Sequence, residues 1–535
     1  MRDTTLGSAG VSRPGARSGW GRFACAAVLA SISSQPLAGQ APEAPSLDVV
    51  KAARATIAAQ PEILLQQQRL ASSRGALQTA SGQFDPQLSA SLLRARDTLP
   101  FTDAQIEQTD QLYDAATTNT TAYRLGLEKV FRTGLTISPL LEVVREDVNV
   151  LGAATNRAGV AFQVTQPLLR GRGRDVVTAQ ETAARLEVEA TTLDLRQVIA
   201  TSVVRTVQAY WGYLAAVRAL DVLRKAEDRA RTLVDQIQTM IRADVRPAAD
   251  LKQSQANLAD RVSQRAAAEQ ALFEARQRLG IAMGLPFDQI GALPLPGDTF
   301  PDIEATQVSS AATFGGMVDQ AMAYRSDLQA LRTRQREADV LRAQARDGLR
   351  PELNLGGSAG YAGLDEGRAF WQLFTPLAPQ GFNASASLLF SWPVLNNTAR
   401  GLFSQSEATY QQTSLEVDDL ARTISARVTV AADAVRQSAV RAHSAREASS
   451  LYRAAVADEW QKLQIGLSTM LDVILIEDRL TQSLLSEVEA ELSYALAVAQ
   501  LRFETGTLVG DLRGVSDPTL LVDRERITQV PTGGS

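Results

Sequence analysis

The chain has 535 residues, with 54 Lys and Arg against 59 Asp and Glu, and a formal net charge of −5 leaves no basic footprint for nucleic acid. One cysteine (Cys25) and one histidine (His443) cannot build a His/Cys metal site or a disulfide framework. Aromatics are scarce at 5%, while Ala, Gln, Leu, Arg, Glu and Ser crowd the centre, as they do in long helices.

Residues 1–40 read as a secretory signal. Arg2, Arg13, Arg17 and Arg22 precede a short apolar core, Phe23 to Ile32, and the small residues from Pro36 to Ala41 suit cleavage. Cys25 stands near the start of that core, with Arg22 three positions before it, which argues against a lipid-modified cysteine. Beyond residue 41 no apolar run approaches the roughly 18 residues of a membrane-spanning helix. An exported chain of this kind crosses a bilayer with strands or not at all.

Residues 41–285 form a first unit. It opens on a helix, 45–83, kinked at Gln60-Pro61 and stopped by Gly82-Gln83-Phe84-Asp85-Pro86. Alternation predicts strands at 86–95, 122–131, 134–145 and 158–167, with polar loops from Arg96 to Thr121 and from Arg145 to Arg157. The last strand runs Val160, Phe162 and Val164 against Ala161, Gln163 and Thr165, then meets Gln166-Pro167-Leu168-Leu169-Arg170-Gly171. Proline has no N–H for the ladder, and the glycines that follow let the backbone turn into a helix. From Arg174 to Arg242 there is no proline and one glycine, Gly212, so a rod of roughly 100 Å is expected. A turn at Ala243 to Pro247 reverses it, closing a helical hairpin over 174–284 whose apolar stripe is coiled-coil-like.

Residues 286–316, rich in Pro, Gly, Asp and Thr, read as a linker or small irregular module. The plan then recurs over 317–505: a helix at 317–348, strands at 351–362 and 382–392, and a hairpin at 398–505. The second strand leads into Trp392-Pro393-Val394-Leu395, and the hairpin turns at Gly466-Leu467-Ser468-Thr469. The tail, 506–535, is polar. Pro86 and Pro351 stand 265 apart, as do Arg69 and Arg334; Pro167 and Pro393 stand 226 apart; Asp250-Leu251 and Asp472-Val473 stand 222 apart. An ordered series of matches points to a duplication. The drop from 265 to 226 leaves the first unit about 39 residues longer, enough for an added hairpin that either joins the sheet or forms an external cap.

Few strands that run straight into long rods cannot close a barrel alone, but strands pooled from several copies can, with the apolar face towards lipid. Three copies give 12 strands from four per chain, or 18 from six. A soluble sandwich capping a helical bundle would alternate equally well, yet it gives no reason for strands to enter 100 Å rods.

The paired Gln166-Pro167-Leu168-Leu169-Arg170-Gly171 and Trp392-Pro393-Val394-Leu395 phrases carry a resemblance, with the tip Gly466 to Val473 and its partner Ala249-Asp250-Leu251. On these residues the chain resembles the TolC-like outer-membrane efflux proteins. The resemblance implies a mainly α fold with β: a homotrimeric transmembrane β-barrel continued by a long α-helical periplasmic tunnel, built from two structural repeats per chain. It also implies an equatorial module made by the linker and tail. As partners it implies other copies of the chain, outer-membrane lipid, a periplasmic adaptor protein and an inner-membrane pump. The chain would then be a passive exit duct for efflux or type I secretion, located in the outer membrane with its tunnel in the periplasm.

By the same resemblance, Asp472 falls where an acidic ring constricts the tunnel, with Asp250 as its echo. A residue at this place also complements a helix N-terminus. Leu463 and Ser468 replace a Tyr and an Arg that lock the closed state in the best-known member, and Leu475 replaces a second acidic ring, which would make a more apolar gate. Val245, Arg246, Gly466, Leu467 and Ser468, at the two turns, would meet the adaptor. No acid/base pair, phosphate loop or nucleophile elbow stands out, so neither catalysis nor a cofactor is expected. The competing function is a periplasmic coiled-coil scaffold without a pore.

Overall fold

The computed structural model describes residues 46–108, 112–244, 247–303, 311–373, 375–378, 380–510 and 518–531. The expected signal segment and the docking candidates Val245 and Arg246 lie outside the described residues.

The chain enters on α1 (Val49–Ala59), whose cap residue Asp48 accepts from the Val50 N–H at 2.7 Å. Pro61 starts α2 (Pro61–Gly82), and the residue before it, Gln60, is extended because the proline ring disfavours a helical neighbour there. Then come β1 (Gln87–Pro100), the short α3 (Asp103–Gln108), β2 (Ala115–Val130), β3 (Thr136–Val148) and β4 (Thr155–Pro167). A turn of helix, α4 (Arg174–Val177), leads into the 64-residue α5 (Ala179–Arg242), and α6 (Ala249–Ala282) returns beside it. The expected single rod is thus interrupted at Thr178, whose hydroxyl bonds back to the Arg174 carbonyl at 2.8 Å, a bond that bends helices.

The linker holds α7 (Phe287–Ile290), and α8 (Ala311–Tyr324) and α9 (Ser326–Asp347) follow. The one helix expected over 317–348 is therefore two, parted at Arg325, which no proline or glycine announces. Strands β5 (Glu352–Glu366) and β6 (Gly381–Ser391), then the 68-residue α10 (Asn397–Gln464) and α11 (Met470–Glu504), complete the second half. A last short helix, α12 (Arg524–Thr528), lies in the tail.

All six strands form one antiparallel sheet in the order β1-β2-β3-β4-β5-β6. The surplus of the first half is the β2–β3 hairpin, which lies inside the sheet between β1 and β4 rather than capping it. The strands outrun the alternation: the stretch from Arg96 to Thr121, expected as a loop, continues β1 to Pro100 and opens β2 at Ala115. There both faces are polar and rich in threonine, and Thr98 meets Thr117 hydroxyl to hydroxyl at 3.2 Å. A wet strand end keeps its ladder without an apolar face, so alternation gives no signal of it.

The main core surrounds the middle of α5, where Val203, Val207, Tyr210, Trp211 and Tyr213 are buried against α1, the linker and the tail. Each such large side chain contributes roughly 1.5–3 kcal/mol by burial. Asp298 of the linker ties this junction together: its carboxylate accepts from the Val49 N–H and the Tyr210 hydroxyl, both at 2.8 Å, and pairs with Arg524 at 3.2 Å. A second core joins α8 and α9 to α10 and α11 through Met317, Leu328, Ile424, Val428, Tyr494 and Leu501.

Several elements of the two halves correspond in position. Both bounds of α9 are those of α2 plus 265, and Asp244 and Gly466, at the left-handed positions that end α5 and α10, stand 222 apart. The breaks at Gln60 and Arg325 also stand 265 apart and share an extended backbone, with φ −67° and −65°. Each break is packed by a glycine that ends the returning helix. A methyl at Gly284 would meet the Gln60 Cα, and one at Gly506 the Arg325 nitrogen.

Candidate functional site

The first part of the site is the sheet. The ladder places Leu92 opposite Tyr123, Tyr123 opposite Val143 and Val143 opposite Ala158, so these share one face. The same parity gathers Leu88, Leu125, Leu141, Val160, Phe162, Val164, Leu355, Tyr361, Phe382, Leu388 and Phe390. Most of these large apolar side chains are exposed. The opposite face carries small and polar groups: Arg124 pairs with Glu142 at 2.5 Å, and the Ser358 and Ser385 hydroxyls meet at 2.8 Å. Among the described residues β1 and β6 are each paired on one side alone, which leaves two rows of backbone donors and acceptors open. Among the described residues no helix is long and apolar enough to cross a membrane.

The second part is the tip of the helical hairpins. Gly466, at φ +79°, ends α10 in the left-handed conformation and turns the chain into α11. Asp472 sits in the first turn of α11, as Asp250 does in α6. The Asp472 carboxylate is part of a capping box: it accepts from the Thr469 N–H at 3.0 Å and the Thr469 hydroxyl at 2.5 Å, while its own N–H donates to that hydroxyl at 3.3 Å. Those bonds hold its carboxyl below the usual carboxylate range, so it is an exposed permanent anion at neutral pH. The helix-start reading of Asp472 is therefore realised; a role at a constriction is compatible with it.

The other tip candidates separate. Leu463 is 4% exposed and packs with Leu233, Ile237, Met470, Val473 and Ile474, binding the two hairpins to each other within the chain. Ser468 donates to Glu459 of α10, which also accepts from Lys462 at 2.9 Å. Leu475 is half-exposed on the wall of an open cleft of about 700 Å³ between α6 and α11, floored by Leu223, Ala268 and Leu485. Ile465, Leu467 and Leu471 stand exposed at the same end of the second hairpin, interspersed with the polar Glu459, Lys462, Ser468 and Asp472.

Sequence reasoning missed a polar cluster just above the tip. Arg229 of α5 donates to Glu477 of α11 at 2.6 Å, and the Trp460 indole of α10 lies 3.4 Å from the same carboxylate. Arg261 of α6, itself buried, pairs with Asp478. Burial, then the neighbouring Arg229, lowers the Arg261 guanidinium below its ordinary value. Four helices from both halves thus meet in charge-assisted bonds. The adjacent acids Glu477-Asp478 at an otherwise apolar spacing were the one local hint.

Comparison with known proteins follows the same geometry. Residues 317–507 match the family model described as outer membrane efflux protein. No curated protein matches the sequence. Among solved structures, the chain is similar to the CmeC outer membrane channel of Campylobacter jejuni, with a TM-score of 0.61 at 13% identity over 89% of this chain and 90% of that one. It is similar to the outer membrane protein VceC of Vibrio cholerae, with 0.60 at 14% over 86% and 96%. A membrane protein of Pseudomonas aeruginosa gives 0.62 at 16% over 85% and 92%. At these identities the likeness is one of fold: a mainly helical chain with one antiparallel sheet, arranged as in outer-membrane channels. The resemblance to outer-membrane efflux proteins, read from the paired proline phrases and the tips, agrees with the family match over the second half.

Proposed function

We propose that the chain is the outer-membrane exit duct of a tripartite efflux or type I secretion system, a passive conduit formed by three copies and coupled to a periplasmic adaptor and an inner-membrane pump. One observation carries the reading: a six-stranded sheet with two open edges and one exposed apolar face. Open edges demand strand partners, and an exposed apolar face of that breadth demands lipid. Closure of β1 on the β6 of the next copy satisfies both, with the small and polar face inward. Eighteen strands fall in the range that leaves an aqueous channel.

The helices support the same head-to-tail order. α9 packs on both α5 and α10, whereas its counterpart α2 packs on α5. Leu64 and Leu65 of α2 are exposed, yet the position matching Leu65 in α9 is Ala330, which is buried. What α9 does inside one chain, α2 is shaped to do against α10 of the neighbour. The rods then continue the cylinder into the periplasm, and the exposed ends at Gly466 and Leu467 face the adaptor. Asp472 in three copies would ring the constriction with carboxylates that draw cations.

Conductance across a planar bilayer, together with heat-modifiable migration of the purified protein, tests the duct. A coiled-coil scaffold without a pore shows neither, and a water-soluble monomer would end the proposal.

A further inference from the structure

The link between β5 and β6 does not project away from the sheet. It makes two short 3-10 turns, Phe370–Leu373 and Thr375–Leu377, that fold back over the apolar face of β3, β4 and β5. Gly363 is the register partner of Ala158, on the same face as Tyr361, and a methyl there would collide with the carbonyls of Pro376 and Ala378. Val143 and Ala158 are buried beneath the fold-back, and Pro376 is buried in it. The flap therefore lies outside the cylinder proposed above, at the strand ends far from the helices, and cannot enter its lumen.

Its attachments are polar and point inward. Asn156, 0% exposed, donates to the Gly367 carbonyl at 2.9 Å and accepts from Arg145 at 2.7 Å. Arg145 also donates to the Ala369 carbonyl at 2.8 Å, and Arg368 pairs with Asp147 at 2.9 Å. The polar row above Val143 and Ala158 is thus consumed by the flap's backbone. Facing away from the sheet are Trp371, 73% exposed, and Leu377, 43% exposed. Gln372 and Thr375 are satisfied within the flap itself. A segment whose polar groups are taken up by the sheet and by its own turns, with a tryptophan, a leucine and the exposed Arg368 outside, has a surface suited to the boundary between lipid chains and headgroups.

Height decides where that boundary falls. From Phe382 to Phe390 the apolar row of β6 spans eight residue steps, about 26 Å along the strand and about 20 Å along an axis tilted by roughly 40°. An outer-membrane barrel presents an apolar band about 25 Å tall. The flap covers the next row beyond Tyr361 and Phe382, adding about 5 Å on β3 to β5, which closes the gap. Trp392, exposed just past β6, marks the opposite rim.

We infer that residues 367–373 and 375–378 form an interfacial foot in each copy, with Trp371 and Leu377 seated in the outer leaflet of the membrane. This rests on the outer-membrane duct reading, and it commits the flap to lipid rather than to a protein partner or the pore. The test is tryptophan quenching in the full chain, reconstituted in phosphatidylcholine vesicles carrying brominated acyl chains, for wild type and Trp371→Phe. The difference between the two emission spectra isolates Trp371. It should be blue-shifted, and it should be quenched more strongly by bromine near the glycerol end of the chain than near the methyl end. Conductance of the same preparation is measured in parallel. A conducting channel whose Trp371 emits in the red and resists both brominated lipids overturns the foot alone. A chain that neither inserts nor conducts overturns the duct, and the foot with it.

Discussion

The two halves of the chain solve one geometric problem with different chemistry. Each needs a break where a short helix hands over to the next, tucked against the end of the returning hairpin helix. In the first half the break is covalent: Pro61 makes Gln60 extended. Hydroxyls pack beneath it, with Thr56 and Thr206 at 2.8 Å and Thr206 donating to the Ala282 carbonyl at 3.1 Å, and the ion pair beside it, Arg205 with Glu62 at 3.0 Å, is exposed. In the second half Ser326 stands in place of the proline, and a buried ionic clamp stands in place of Ala282. Arg325 pairs with Glu504 and donates to Asp327 at 2.6 and 3.0 Å, and Gln500 donates to Glu504 at 2.8 Å. A proline acts through the local chain and the unfolded state. A buried ion pair acts through partners 179 residues apart and fails badly when one is removed. The fold demands the break; the residue that makes it is free to vary.

The sharpest test is Glu504→Ala, which leaves the buried Arg325 guanidinium with Asp327 as its remaining carboxylate partner. A loss of about 1.5–3 kcal/mol is expected, read as a fall in the thermal midpoint of the assembled protein. Pro61→Ala should cost about 1 kcal/mol or less. Rebuilding the second break in the image of the first, with Arg325→Gln, Ser326→Pro and Glu504→Ala together, should recover most of the loss. If the triple variant is as unstable as Glu504→Ala, the two breaks are not equivalent.

Gly284→Ala and Gly506→Ala should be alike. Both glycines lie at positive φ against the backbone of a break, so each substitution should cost about 1–2 kcal/mol before any relief of the collision. Unequal losses, beyond the usual scatter of such measurements, would mark the half that tolerates movement.

A third difference is electrostatic. Glu337 of α9 lies beside Glu187, where the matching position of α2 is Ser72. Burial, then the Glu187 charge, pushes the Glu337 carboxyl up to about 7. A carboxyl raised in the folded state binds more protons there than in the unfolded chain. Its contribution is therefore present at acid pH and lost as pH rises through about 7. The thermal midpoint should fall between the ordinary carboxylate value of 4.5 and about pH 7 by the equivalent of about 1 kcal/mol, allowing for its partial exposure, and Glu337→Ser should flatten the profile.

At the tips the expected effect is on conduction rather than stability. Asp472→Ala should weaken block by multivalent cations several-fold, while Asp250→Ala, its counterpart in the first hairpin, should leave block nearly unchanged. Equal effects would put both hairpins at the constriction.

Much of this was legible residue by residue. Alternation located the core of each strand among the described residues, long runs free of proline located the rods, and Gly466 followed by Thr469-Met470-Leu471-Asp472 announced a turn and a helix start. These signals are local, set by backbone sterics and by the side chains within a turn or two. The strand extensions over threonine-rich ends escaped because a wet ladder has no apolar face. The break at Arg325 escaped because its cause, Glu504, lies in another helix.

Leu463 shows the limit most plainly. On a rod apolar around more than one face, periodicity does not tell the partner hairpin from the tunnel, and packing assigned it to the hairpin. The clamp of Arg229 on Glu477, separated by 248 residues, and the flap over Gly363 belong to the same class. From its sequence alone the chain determined which segments are strand, turn and rod, because those choices are made by neighbouring residues. Which charged groups pair, which leucines are hidden and which way the last loop folds were decided only in tertiary structure. Those outcomes depend on surfaces brought together from opposite ends of the chain.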